Sequence, residues 1–146
     1  MSYATIEAAA VAVLKKHADF TADNCRAGDV SPVKEGYERV ARFLYGGVRE
    51  EPVTINLLRH VWTVYVDLYV PYRGQVPEFE GRLATERQKV LDTFPLYPLL
   101  QATAGVQWAR ITNGANPEPL NPKKGAYRGQ RLLLEVAEIT KPARVE

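Results

Sequence analysis

Cysteine, histidine and serine are the scarce residues of this sequence, and each scarcity closes off a chemistry. One cysteine, Cys25, can form no intramolecular disulfide and no cysteine-based metal site, and a lone thiol fits a reducing compartment. The two histidines, His17 and His60, lie too far apart in sequence to make a metal-ligand spacing. His17 is expected to end the apolar stripe of a first helix, and His60 to sit where a strand begins. A nucleophilic Cys25 would need one of them beside it, and nothing local to the cysteine supports that pairing. Serine occurs only at Ser2 and Ser31, and neither sits in a Gly-x-Ser-x-Gly elbow. Phosphate cradles are missing too: Gly46–Gly47 does not open a helix, and Gly125 and Gly129 do not have P-loop spacing. A net charge of +2 does not argue for a nucleic-acid binder on charge alone. No stretch approaches the roughly 20 apolar residues that cross a bilayer, and the first residues lack the pattern of a signal peptide. The expectation is a soluble, unprocessed chain with no membrane partner, no cofactor, no metal site and no catalytic residue.

What is present is an ordinary globular composition, 46% apolar and 25% charged, over 146 residues, which points to one domain spanning 1–146. Residues 3–18 read as a helix capped by Ser2, with Ile6, Ala10, Val13, Leu14 and His17 on one face. A loop is expected over about 19–36, broken by Gly28, Pro32 and Gly36. Residues 37–45 fit a helical stripe through Tyr37, Val40, Ala41 and Leu44, but aromatic alternation and the following Gly-Gly favour a strand. "HVWTVYVDLYV", residues 60–70, alternates cleanly. Its even positions are all apolar and must be buried, and Pro71 ends it. A second helix is expected over 77–94, its stripe made by Phe79, Leu83, Val90, Leu91 and Phe94. "LYPLLQA" is read as one further short turn. Strands at 104–112 and 129–140 flank a long loop, 113–128, rich in proline and glycine. Helices do not alternate with strands, so the pattern predicts an α+β fold. Its centre is an antiparallel sheet of about four strands with two main helices packed on one face.

Three groups of side chains are candidates for function. Asp67 and Glu135 are mid-strand carboxylates that could face each other as an acid/base couple. The simpler reading pairs each with an arginine, such as Arg110 or Arg131. Lys123, Lys124, Tyr127, Arg128 and Arg131 combine positive charge with an aromatic ring in and after the long loop, a chemistry suited to DNA phosphates or to an acidic partner. The third group is an excess of large side chains on strands. Tyr65 and Tyr69 flank Asp67, Trp108 shares an expected face with Val106, and Leu132–Leu133–Leu134 points both ways. Two helices cannot cover both faces of such strands, so a partner chain is expected at Tyr65, Asp67, Tyr69, Trp108 and Leu133.

The order of elements then becomes suggestive: an N-terminal helix, a loop with Gly and Asp, the strand "RVARFLYGG", the Trp-led strand "HVWTVYVDLYV", a charged helix, and two strands around a variable loop. Over residues 3–140 this order resembles the tail terminator proteins of long-tailed bacteriophages, also called tail-completion or minor tail proteins. The resemblance implies an α+β virion subunit, made in the host cytoplasm, that forms a homo-oligomeric, hexameric ring. Such a ring caps the tail tube protein and offers the head-completion or connector protein a joining surface. DNA passes through it without sequence specificity. It implies no catalytic residues. The alternatives are a neighbouring neck or head-completion connector protein, and a small α+β enzyme or ligand-binding domain using Asp67 and Glu135.

Overall fold

A computed structural model describes residues 2–28, 36–72, 76–113, 119–120 and 127–140. Helix α1 spans Tyr3–Leu14, and the Thr5 N–H donates to the Ser2 Oγ at 3.4 Å, as an N-cap serine should. Ile6, Ala10, Val13 and Leu14 are buried, but the helix stops at Leu14 and does not run to residue 18. The chain turns back there because Phe20 is drawn into the core. His17 lies in that turn, where its Nδ1 accepts the Asp19 N–H at 3.2 Å.

Strand β1, Cys25–Ala27, falls within the expected loop and pairs in parallel with Ala41–Phe43. Three residues are too few to carry an alternating pattern. Strands β2, Val40–Thr54, and β3, Leu57–Pro71, form one long antiparallel hairpin. Gly46–Gly47 does not end β2. It is absorbed as a bulge, the register passing from Tyr45/Val64 to Val48/Trp62, with Gly47 at φ 109°. His60 accordingly lies inside β3 and not at its entry.

Helix α2, Val76–Thr93, runs into a 3-10 turn at Phe94–Leu96. Strand β4, Val106–Thr112, and the two-residue β5, Pro119–Leu120, share one edge of β6, Tyr127–Thr140. The sheet order is β1-β2-β3-β6-β4, antiparallel except at β1. The expected antiparallel sheet of about four strands is therefore corrected to a mixed and wider one, within the expected α+β class.

Both helices lie on one face of the sheet. Ile6, Val13, Leu14, Val90 and Phe94 pack into one cluster with Phe43, Val64, Val66, Leu68, Leu132, Leu134 and Val136. The even side of β3 is thus the core side, although Trp62 at its far end is only half-buried. Burial of these side chains, at about 25 cal/mol per Å² of apolar surface, is what holds helices to sheet. A polar tie crosses the same layer. Glu86 of α2, largely buried, accepts from Arg39 Nε at 2.6 Å and from Lys89 Nζ at 2.9 Å, and Lys89 also reaches Asp19 at 2.8 Å. The Lys89 hydrogen bond holds the Asp19 carboxyl below its usual range.

Between the 3-10 turn and β4, three consecutive non-glycine residues, Leu100, Gln101 and Ala102, have φ of 48°, 59° and 56°. This left-handed turn costs roughly 1–2 kcal/mol per residue and persists because its surroundings fix it. Leu100 is buried in the core, the Thr103 N–H donates to the Leu99 carbonyl at 3.0 Å, and the Ala109 N–H donates to the Pro98 carbonyl at 2.8 Å. Gln101 is exposed and carries the same left-handed backbone cost. Gln101→Gly should raise stability by about 0.5–1 kcal/mol, against the usual loss for glycine, as thermal melting would show.

Candidate functional site

The face of the sheet opposite the helices collects the odd residues of β3 and β6 and their neighbours. All five residues expected at a subunit interface lie on it. Tyr65, Asp67 and Tyr69 come from β3, Leu133 of β6 stands opposite Tyr65, and Trp108 of β4 stands opposite Ala137. Trp108 does not share this face with Val106, as strict alternation predicts. A bulge places Val106 opposite Glu138 and Trp108 opposite the adjacent Ala137, which turns the two to opposite faces.

The face is not a bare apolar surface. Asp67 is 1% exposed, and Arg131 holds it through one edge of its guanidinium, Nε donating to Oδ1 at 2.8 Å and Nη2 to Oδ2 at 3.0 Å. The paired geometry is the strong form of an arginine–carboxylate contact. Arg42, also buried, stands opposite Asp67 on the β2 side. The Asp67 hydrogen bond raises the Arg131 pKa further. The same arginines cover the rings: Arg131 lies 4.1 Å from the Tyr65 ring centre, Arg42 5.8 Å from Tyr69, and Arg110 4.8 Å from Trp108. Further along, Arg49 bridges Glu51 and Glu135, each at 3.0 Å, and Arg59 reaches Glu51 and Gln107.

This lattice decides between the two readings of the carboxylates. Asp67 pairs with Arg131, as the simpler reading has it, while Glu135 pairs with Arg49 and not with Arg110 or Arg131. The two carboxylates do not face each other. Glu135 stands opposite Thr63, four positions from Asp67 along β3, or about 13 Å at the strand rise. Paired catalytic carboxylates stand roughly 5–9.5 Å apart. Burial pushes the Cys25 thiol up to about 12, which leaves little thiolate near neutrality. Among the described residues no group of His, Cys, Asp and Glu is placed to hold a metal ion, and no helix is long and apolar enough to cross a membrane.

Within the subunit Asp67 and Tyr69 are already covered, so neither offers contact surface. Tyr69 joins Val40 and Tyr127 in a small second cluster, with Tyr37 packed on it. Tyr65, Leu133 and Trp108 keep part of their surface. Of the residues expected to make loop contacts, Lys123 and Lys124 lie outside the described residues. Tyr127 and Arg128 belong to β6 and not to a loop. Tyr127 is buried, its hydroxyl accepting the Tyr37 N–H at 2.9 Å and donating to the Tyr37 carbonyl at 2.7 Å. Arg128 is exposed, 4.0 Å from the Tyr72 ring centre, and Arg131 is engaged with Asp67.

Sequence reasoning missed Arg42 and Arg49 on this face, and it offered Arg110 only as a partner for a carboxylate, whereas its guanidinium lies 4.8 Å from the Trp108 ring centre. The signal was their alternation with apolar residues on β2 and β4, hidden where bulges shift the phase. At the opposite end of the helix side, Glu138 is buried beside His60 and accepts from Trp62 Nε1 at 3.0 Å. Compared with protein-family models and with curated proteins, the chain matches none.

Proposed function

We propose that the chain is a structural virion subunit of the tail terminator kind, assembling head to tail into a ring that caps the tail tube and receives the head. The observation that carries this reading is the uncovered sheet face. Asp67 is paired with Arg131 and Glu135 with Arg49, and Tyr65, Leu133 and Trp108 remain partly open. Such a face is rigid and suited to contact. The hairpin supports the same reading, since Ile55 at its tip is 96% exposed. Ring closure needs only that neighbouring copies meet through two different patches related by a rotation. In this account Lys123, Lys124 and Arg128 meet DNA or an acidic neighbouring ring, and the virion tail or neck is where the protein resides. The reading is tested by adding purified protein to uncapped tail tubes and imaging by negative stain. Discrete rings seated on tube ends are expected; bare ends at saturating protein would refute it.

A further inference from the structure

The register sets four side chains in one row across the sheet. Arg26 of β1 stands opposite Arg42 of β2, Arg42 opposite Asp67 of β3, and Asp67 opposite Arg131 of β6. The row lies on the face away from the helices, because Cys25 and Ala41, next to Arg26 and Arg42, are buried in the core. Like charges directly opposite each other destabilise a sheet, and here a single carboxylate serves three guanidiniums. Arg26 is exposed and has no carboxylate partner among the described residues. The excess extends along the face. Arg49, Arg59 and Arg110 bring the arginines to six, against the three carboxylates Glu51, Asp67 and Glu135. Six against three is a larger surplus than the +2 of the whole chain. Arg110, on β4 at the far edge, is exposed and also has no carboxylate partner among the described residues. Two rings share the face and stay partly open. Tyr65 has the Arg131 guanidinium 4.1 Å from its centre, and Trp108 has that of Arg110 at 4.8 Å. Trp108 stands level with Val61, four positions from Tyr65 and two strands away, which separates the rings by about 16 Å.

We infer that this face binds single-stranded nucleic acid, with phosphates on the arginines and bases stacked on Tyr65, Trp108 and the guanidiniums beside them. Charge complementarity selects a polyanion, and the unpartnered Arg26 and Arg110 at the two edges of the sheet give it a path across the face. Arginine, the cation used throughout, both binds phosphate through its fork and stacks on flat rings. The planar groups select unpaired bases, since every base has a face to stack and a duplex keeps those faces covered. An acidic protein segment would match the arginines and leave the rings unused. The inference does not depend on ring assembly. A neighbouring subunit seated on this face would compete with the strand, so the free subunit is the binding form.

Fluorescence anisotropy of a short labelled oligothymidine, titrated with the purified chain at low salt, tests this. Binding should weaken steeply as salt is added, and a duplex of the same length should bind about tenfold more weakly. Trp108→Leu and the double variant R26Q/R110Q should each lose about tenfold in affinity. Arg26 and Arg110 are exposed and outside the Asp67–Arg131 and Glu135–Arg49 pairs, so the double variant should melt within a few degrees of the parent. Arg82→Gln removes an exposed cation from α2, on the helix side, and should leave affinity within about twofold. Absence of binding at low salt, equal affinity for duplex and single strand, or an unchanged affinity in the folded R26Q/R110Q variant would overturn the inference. So would a polyglutamate peptide that binds as tightly as the oligothymidine, because the rings would then read nothing.

Discussion

Asp67→Ala should cost about 3 kcal/mol and lower the melting temperature by on the order of 10 °C. The carboxylate is 1% exposed and carries two hydrogen bonds from Arg131, with Arg42 opposite it on the neighbouring strand. Removing it leaves Arg42 buried on the same face and deprives Arg131 of its carboxylate partner. Arg131→Met should cost at least as much, since it leaves the buried Asp67 carboxylate without both of its hydrogen bonds from Arg131. Urea or thermal unfolding of both variants checks this. A loss under about 1 kcal/mol for either variant would show that the pair does not organise this face.

Gly129→Ala should be worse, a loss of about 4 kcal/mol or more, and should leave most of the chain unfolded or insoluble. Gly129 stands opposite Tyr69 on β3 and Leu120 on β5. A methyl group there would lie 1.9 Å from the Leu68 carbonyl oxygen, 2.8 Å from the Leu68 carbonyl carbon and 2.9 Å from the Tyr69 ring. The nearest atoms are backbone, so no side chain can move aside, and β3 and β6 would have to separate in the middle of the sheet. Gly81→Ala is the control. Gly81 lies in α2 with open space around its missing Cβ, and alanine there should add about 0.5–1 kcal/mol. Soluble yield and melting temperature of the two variants should move in opposite directions.

The parts of the fold that sequence reading reaches are those with an unbroken period. The even side of 60–70, the α1 stripe through Ile6, Ala10, Val13 and Leu14, and Phe79, Leu83, Val90 and Phe94 of the second helical stripe meet in or against the core, while Leu91 of that stripe does not join it. What it missed lies where a local signal and the tertiary structure disagree. Gly46–Gly47 reads as the end of the strand over 37–45, yet it is a bulge, and β2 runs on through Pro52, which pairs with Leu58. The bulge around Gln107 reversed the expected partnership of Val106 and Trp108. The left-handed turn at Leu100–Ala102 contains no glycine or asparagine, so nothing in its composition announces it. At the candidate site an arginine partner for Asp67 was legible, with Arg110 and Arg131 both open, and the register of β3 on β6 selects Arg131. The choice of Arg49 for Glu135 was not, because the bulge sets which β2 residue comes within reach.

The proposed closed ring is tested by the mass of the assembled species in solution. Size-exclusion chromatography with light scattering, over a wide range of protein concentration, should show a discrete species of about six subunit masses growing at the expense of the monomer. A chain that remains a monomer at the highest concentration, or that grows into open polymers of indefinite mass, would contradict it.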